Sequence, residues 1–358
     1  MTLSCEEPMV AGMISRQALE DALRGWMQSW RVIAPVRQTG EVRFQELGDA
    51  AAIAWDYANS KHSAKGVYLP QVERLLTYTR TRDDLNQVQA ADPPAAPTLL
   101  FGLRPCDARA RLMVDRVMVD GVCRDRYYAA RRDGTVVVGL ACGHPRSTCF
   151  CGAFDSGPYD ATGSDLLLRV AGDMYLVDVV TERGAELAKE LALEPADVER
   201  TQLAERAQAK AEEALRPMER LVGIEAALDG LWDDPLWPEI SAKCLACGTC
   251  TYLCPTCHCF AVEDRVLGDG GERVRAWDSC MYAGFTVHAS GHNPRPDQAS
   301  RWRQRVMHKF SYLPENVEAY GCVGCGRCVV GCPVNLDIRQ VLARVWEASR
   351  VQAEESGS

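Results

Sequence analysis

Short apolar runs alternate with amphipathic stretches along the first two thirds of the chain. Ser15–Trp30 has apolar residues at helical spacing behind a serine that is suited to cap a helix. Thr98–Leu103 and Thr135–Leu140 are apolar runs of strand length, and Leu166–Val180, interrupted by Ala-Gly-Asp, predicts a β-hairpin. Helices and strands in this order predict an N-terminal mixed α/β domain over residues 1–235.

Two copies of one cysteine motif follow this region. Each reads Cys-x2-Cys-x2-Cys-x3-Cys-Pro, the spacing with which bacterial ferredoxins hold [4Fe–4S] clusters. In such motifs the first three thiolates bind one cluster, and the fourth usually binds the other cluster of the pair. We therefore predict one cluster on Cys244, Cys247, Cys250 and Cys332, and another on Cys322, Cys325, Cys328 and Cys254. Structural zinc is the alternative, but zinc sites use Cys-x2-Cys pairs rather than a repeated quartet that ends in Cys-Pro.

The region around these motifs predicts a second domain. Asp-Asp-Pro and Trp-Pro between Leu231 and Ser241 indicate a domain boundary before the first motif. The long spacing between the motifs includes helical stretches such as Ser300–Phe310, which favours a helical domain over residues 236–350. Polar residues 351–358 predict a disordered tail. The predicted fold class is α+β, with the N-terminal mixed α/β domain followed by an α-helical ferredoxin-type dicluster domain.

Four further cysteines form a candidate quartet in the N-terminal half. Cys106 and Cys142 each follow closely on an apolar run, so both thiols lie at one sheet edge if the two strands are neighbours. Cys149 and Cys151 follow a Gly-His-Pro turn and complete the set. We predict a third cluster on these four residues; the alternative is that buried free cysteines pack as small apolar side chains.

Several other residues are predicted to act beside the clusters. A role in hydrogen bonding to cluster sulfurs or in packing is predicted for Cys257, Cys259 and Cys280, with another metal site as the alternative. Arg327 lies inside the second motif and is predicted to tune a cluster or to dock it. His308 and the adjacent Lys309 would place positive charge near a cluster and raise its potential; a solvated basic pair on a helix is the alternative.

Composition and charge narrow the class of protein. The 358 residues are 47 % hydrophobic and can bury a core in about two domains. The N-terminal residues show no basic segment followed by an apolar one, so no export signal is expected. We therefore expect the 17 cysteines to stay reduced in the cytoplasm and to bind metal rather than form disulfides. No apolar stretch approaches the roughly 18 residues of a membrane helix, so no membrane insertion is expected. The net charge of −9 argues against nucleic acid as a partner.

The motifs predict electron transfer rather than substrate chemistry. The chain has no G-x-G-x-x-G on a strand–turn–helix, no Walker A run and no serine nucleophile elbow. No catalytic residue is therefore assigned, and single electrons are expected to pass between clusters held at a fixed separation. A stand-alone reductase of sulfur or disulfides, using an open iron or a reactive thiol, is a second interpretation. A zinc-bearing scaffold is a third.

The chain also resembles a known family. It is similar to the β subunit of cytosolic sulfhydrogenase-type [NiFe]-hydrogenases and to a close relative of that subunit, the electron-transfer subunit of anaerobic sulfite reductase. The segments that carry the resemblance are Phe101–Asp107, Asp125–Tyr128, Arg131-Arg132, Cys149–Cys151, Cys254–Cys259, Trp277–Met281, Arg301–Phe310 and the second motif with Asn335–Ile338. The likeness is weakest before about Ile53 and over Glu182–Asp229.

The resemblance implies an electron-transfer subunit within a larger complex. Its expected neighbours are a flavoprotein NAD(P)-binding subunit and, as the catalytic partner, the subunits of a [NiFe]-hydrogenase. A sirohaem sulfite reductase subunit is the alternative catalytic partner. The resemblance does not choose between the two.

Overall fold

Helices and strands are mixed throughout the fold. The computed structural model describes residues 8–79, 87–93, 96–215, 217–218 and 221–356. The strands are β1 (Met9–Ser15), β2 (Arg31–Gln38), β3 (Glu41–Glu46), β4 (Val72–Thr79), β5 (Gln87–Ala90), β6 (Thr98–Leu103), β7 (Thr135–Leu140), β8 (Leu166–Ala171), β9 (Met174–Val179), β10 (Phe260–Leu267) and β11 (Gly270–Trp277). The helices are α1 (Arg16–Trp26), α2 (Pro105–Met118), α3 (Arg126–Asp133), α4 (Glu182–Ala188), α5 (Val198–Glu213), α6 (Ile224–Asp229), α7 (Leu236–Ser241), α8 (Thr249–Tyr252), α9 (Gln298–Met307), α10 (Leu313–Val317), α11 (Arg327–Val330) and α12 (Ile338–Ser356).

A seven-stranded mixed sheet organises the N-terminal half. Its strand order is β1-β9-β8-β7-β6-β2-β3, and the pairs β2–β6, β6–β7 and β7–β8 are parallel. Every residue of β6 and β7 is buried, because helices cover both faces of the sheet. Since β6 and β7 are parallel neighbours, the chain leaves both at the same edge, as predicted for the positions of Cys106 and Cys142.

The elements predicted from local pattern are confirmed, with small differences at their ends. Ser15 caps α1 by accepting a hydrogen bond from the Ala18 amide at 3.2 Å. The helix ends at Trp26 rather than at Trp30, and its buried face includes Leu19 and Leu23, each worth about 1.5–3 kcal/mol. Strands β8 and β9 pair antiparallel as the predicted hairpin.

A second sheet joins the two halves of the chain. Its order is β10-β11-β4-β5, so strands from before and after the expected boundary at residue 235 pair directly. Strands β10 and β11 form a hairpin between the two cysteine motifs, which corrects the expectation of a wholly helical domain. The helix expected near Ser300–Phe310 is present as α9. Phe150 and Phe154 also pack into one core with the C-terminal helices.

The chain ends in the long helix α12. This helix continues through Ser356, so the tail expected from residue 351 is helical as far as it is described, and residues 357–358 lie outside the described residues. Within the described part of the chain, no helix combines the length and apolar character needed to cross a membrane.

Candidate metal centres

The two cysteine motifs fold into loops with the same backbone course. Gly248 and Gly326 have φ of +72° and +71°, and each directly precedes a single-turn helix, α8 or α11. This left-handed conformation favours glycine and turns the third cysteine of each motif back over the loop. The amides of Ala246 and Gly324 each donate a hydrogen bond to the first sulfur of their motif at 3.5 Å. Both loops therefore wrap a sulfur-lined space in the same way.

The first predicted group of ligands surrounds a single cavity. It is lined by Cys244, Cys247, Cys250, Cys328 and Cys332, together with Met281 and Trp302. Cys332, from the end of the second motif, thus lies with the three leading cysteines of the first motif. The Leu336 amide donates to its sulfur at 3.2 Å, and Gln298 Nε2 donates to Cys244 Sγ at 3.2 Å. A soft, sulfur-rich donor set around an apolar cavity fits an iron–sulfur cluster.

The second predicted group is assembled in the reciprocal way. Burial raises the pKa of the Cys322, Cys325 and Cys328 thiols, and the charge of the Cys254 sulfur also acts to raise each of them. Thr256 Oγ1 lies 3.0 Å from Cys254 Sγ and donates to the carbonyl of Gly321, next to Cys322, at 2.6 Å. The pKa of Cys325 reaches about 12. Such thiols stay protonated until a coordinated metal replaces the proton. The crossing of Cys254 and Cys332 between the motifs is therefore compatible with the described geometry.

Two buried cations, Arg305 and Lys309, lie among these sulfurs. Their residues are 3 % and 5 % exposed. Lys309 Nζ lies 3.5 Å from Cys254 Sγ and donates to the Gly321 carbonyl at 2.6 Å. Arg305 Nη2 donates to the Cys250 carbonyl at 3.1 Å. Burial lowers the pKa of both side chains, but the surrounding cysteine sulfurs raise it above the ordinary values, so both stay charged.

The structure locates positive charge at Lys309 rather than at the predicted His308. Burial and, to a lesser extent, the neighbouring His258 lower the pKa of His308 to about 4, so His308 is neutral. Its ring contacts that of His258, with 5.8 Å between centroids. Burial of Lys309 also rules out the solvated basic pair. The buried cation that the sequence analysis missed is Arg305, and no local pattern in the sequence marked it.

Arg327 connects the second motif to the N-terminal sheet. Its Nη1 and Nη2 lie 2.7 and 2.5 Å from the two carboxylate oxygens of Asp107 on α2. Its Nε and Nη2 also donate to the carbonyl and hydroxyl of Ser60. Both charged side chains are at most 3 % exposed. Arg327 therefore anchors its loop inside the protein, with its charge near Cys325. Burial lowers the pKa of Arg327, but Asp107 and Cys325 raise it, and the pKa lies well above its ordinary value.

The N-terminal quartet gathers at the same sheet edge, beside the second motif. Burial and, to a lesser extent, the sulfurs of Cys149 and Cys142 raise the pKa of Cys151 to about 12. Burial raises the pKa of the Cys106 thiol, and the sulfurs of Cys325 and Cys151 also act to raise it. The Cys149 sulfur lies 3.9 Å from the Cys325 carbonyl. Cys149 therefore lies against the second motif, and a metal site on the four N-terminal cysteines stays a prediction.

The three remaining candidate cysteines lie near the first motif. A hydrogen bond with Cys257 lowers the pKa of Cys254, and Arg305 Nη1 lies 4.0 Å from the Cys257 sulfur. A hydrogen bond with Cys280 likewise lowers the pKa of Cys259. Cys257 therefore touches a predicted ligand directly. The role of all three beside the clusters stays a prediction.

Comparisons with known proteins agree with this arrangement. The model of a family described as a 4Fe-4S dicluster domain matches residues 243–336, which include both motifs. The chain is 30 % identical over 320 residues to Sulfhydrogenase 2 subunit beta of Pyrococcus furiosus, a match that covers 88 % of this chain and 92 % of that protein. No solved structure matches the chain.

Proposed function

Because this chain belongs to the sulfhydrogenase β-subunit family, we propose that it relays single electrons as the iron–sulfur subunit of a soluble [NiFe]-hydrogenase. A flavoprotein NAD(P)-binding subunit would exchange electrons with it on one side, and the subunits bearing the catalytic metal on the other. The relative's printed name favours the hydrogenase partner over a sirohaem sulfite reductase subunit. The observation that carries the proposal is the pair of sulfur-lined loops, each completed by a cysteine from the other.

Two [4Fe–4S] clusters are the proposed cofactors of the dicluster domain. When bound, they supply one-electron redox chemistry. The residues that would hold them are Cys244, Cys247, Cys250 and Cys332 for one, and Cys322, Cys325, Cys328 and Cys254 for the other. Because each set contains a cysteine from the other motif, the protein fixes the distance between the two sites. Met281 and Trp302 supply apolar walls to the first site.

The protein's own contribution is mainly electrostatic. Arg305 and Lys309 hold positive charge in a medium where water does not screen it, next to sulfurs of both sets. Amide and side-chain N–H groups donate to Cys244, Cys322 and Cys332. Hydrogen bonds and nearby positive charge both favour the reduced form of an iron–sulfur centre. The arrangement therefore holds and tunes electron carriers, and no residue is assigned to a bond-making step.

A third cluster is proposed on Cys106, Cys142, Cys149 and Cys151. Their proximity to one another supports it, as does the contact between Cys149 and the carbonyl of Cys325. A cluster at this position would lie beside the second motif and extend the electron path into the N-terminal half. Iron and acid-labile sulfide should then approach about twelve atoms of each per chain, on the count of four per cubane cluster.

The test is an anaerobic purification of the protein from its native host, with mass spectrometry of the proteins that accompany it. Companion [NiFe] subunits and a flavoprotein are the expected result. A sirohaem subunit would instead assign the protein to sulfite reduction. A protein that purifies alone and reduces polysulfide or a disulfide with a chemical reductant would overturn the relay and favour the stand-alone reductase.

A further inference from the structure

A broad cleft runs along the surface where the two halves of the chain meet. Its volume is about 870 Å³, within the range of ligand-binding clefts. Cys247, the one exposed cysteine among the eight predicted ligands of the two motifs, forms part of its lining. We call it the Cys247 cleft. Its other lining residues include the segment Tyr57–Ser60 and the charged side chains of Arg37, Lys61 and Arg146.

One wall of the Cys247 cleft, Tyr57–Ser60, is a thin layer of backbone over other sulfur groups. On its inner side, the Ala58 carbonyl accepts a hydrogen bond from the Cys142 thiol at 3.8 Å. Asn59 Nδ2 donates to the Cys325 carbonyl at 3.0 Å. Cysteines of the first motif, the second motif and the N-terminal quartet therefore all approach this one cleft.

The charged side chains at the Cys247 cleft favour a negatively charged binding partner. Three exposed cations, Arg37, Lys61 and Arg146, line it against two carboxylates. Asp56 pairs with Arg37 at 3.0 Å, while Glu41 is shared between Lys61 and Arg43. Arg146 donates instead to the Asn59 carbonyl at 3.4 Å. The side chains that line the cleft thus carry a small net positive charge, in contrast to the net charge of −9 on the whole chain.

We propose that the Cys247 cleft is an electron port, and that it receives a redox partner protein whose docking surface is acidic. This inference rests on the proposed function and names the kind of partner for it. One electron passes between the partner's redox group and the cluster at Cys247, with no bond made and no proton moved. The cleft's cations raise the encounter rate of such a partner, since steering by charge acts before contact.

The test compares two one-electron oxidants of opposite charge on the chemically reduced holoprotein. Tris(oxalato)cobaltate(III) is a trianion and hexaamminecobalt(III) is a trication; each takes one electron and becomes cobalt(II). Stopped-flow absorbance should show that the anion reacts faster at low salt and slows as salt is added. The double variant Lys61→Glu/Arg146→Glu should slow the anion about tenfold and speed the cation. Poly-L-glutamate should inhibit the wild type and not the variant.

Arg24→Glu is the matched control, because Arg24 and Lys61 are 46 % and 47 % exposed and each pairs with one or more surface carboxylates. Arg24 does not line the cleft, so its reversal should leave the ratio of the two rates unchanged. Wild-type protein that prefers the cation would overturn the inference, as would a double variant that matches Arg24→Glu. Should the double variant lose its clusters, the salt dependence of the wild type decides. Protein without clusters, or without any electron exchange, would instead overturn the proposed function.

Discussion

At the residue scale, Arg305 and Lys309 differ from two other buried cations, Arg327 and Arg275, in what surrounds them. Arg327 has Asp107, and Arg275 has Glu73, as permanent carboxylate partners. Lys309 has the Cys254 sulfur, and the groups that raise its pKa are cysteines. A buried ammonium without compensation costs several kcal/mol, so we expect the sulfurs that are proposed to bind a cluster to supply the negative charge. A cluster becomes more negative when reduced, and the nearby cation therefore favours reduction.

Replacing Lys309 by methionine should lower the reduction potential of the cluster held by Cys254. At an effective dielectric constant near 20 and a distance of roughly 6 Å, one charge is worth about 3 kcal/mol, or on the order of 100 mV for one electron. A redox titration followed by electron paramagnetic resonance measures it. Lys243→Met is the control, because Lys243 adjoins Cys244 in sequence but is exposed and screened by water. Equal shifts in both variants would contradict the role of burial.

Removing only one partner of the Arg327–Asp107 ion pair should strongly destabilise the folded protein. Arg327→Met leaves a buried carboxylate unpaired and should cost about 3–5 kcal/mol, seen as a lower urea midpoint under anaerobic conditions. The double variant Arg327→Met/Asp107→Leu should recover part of the loss. Arg37→Met breaks an exposed pair with Asp56 and should cost at most about 1 kcal/mol. A double variant as unstable as the sum of its single variants would show that the pair is not coupled.

At the element scale, the two motif loops depend on a left-handed residue before each short helix. A Cβ on Gly326 would lie 2.6 Å from the Thr148 carbonyl oxygen, and one on Gly248 would lie 2.5 Å from the Tyr282 hydroxyl. The first obstacle is backbone of the N-terminal half, whereas the second is the end of a side chain that can rotate away. The second loop is thus held more rigidly than the first.

Gly326→Ala should therefore impair cluster retention more than Gly248→Ala. Strain at a positive φ together with the clash on Thr148 should cost about 2 kcal/mol or more. Iron per chain and the urea midpoint measure the effect. Gly48→Ala is the control, because a Cβ there meets nothing within 4 Å. Full iron content in Gly326→Ala would show that the loop adjusts without cost.

The elements that the sequence predicted are those whose signal is local. Strands β6 and β7 are continuous apolar runs, and α1 has a capping serine followed by a buried face. Strand β10 escaped prediction because nearly all of its residues are exposed, so burial leaves no alternation along it. A 4Fe-4S dicluster domain could be predicted because the spacing of the motif cysteines is specific, while the assignment of each cysteine to a cluster stays a prediction. The position of Arg305 among sulfurs depends on the packing of α9 against both motifs, which no local pattern reveals.

At the scale of the whole molecule, the expected boundary at residue 235 does not separate two independent cores. Strand β4 pairs along its length with β11, from Gly270 opposite Thr79 to Ala276 opposite Val72. Buried Glu73 and Arg275 form an ion pair across this seam. Phe154 stacks on Phe310 with 6.5 Å between ring centroids. The N-terminal half therefore completes its packing only when the C-terminal half is present.

Residues 1–235 expressed alone should consequently fail to form the native structure. Removing the partner strand leaves β4 with an open edge, an unpaired buried carboxylate at Glu73, and Phe150 and Phe154 without their core. The fragment should bind the dye ANS and lose near-ultraviolet circular dichroism, and co-expression with residues 236–358 should restore both signals to those of the full chain.

Iron binding by this fragment alone is thus not a fair test of the N-terminal quartet, which is better tested by Cys142→Ser in the full chain. A fragment that unfolds cooperatively and holds about four iron atoms, the content of one cubane cluster, would show instead that the N-terminal sheet is self-sufficient.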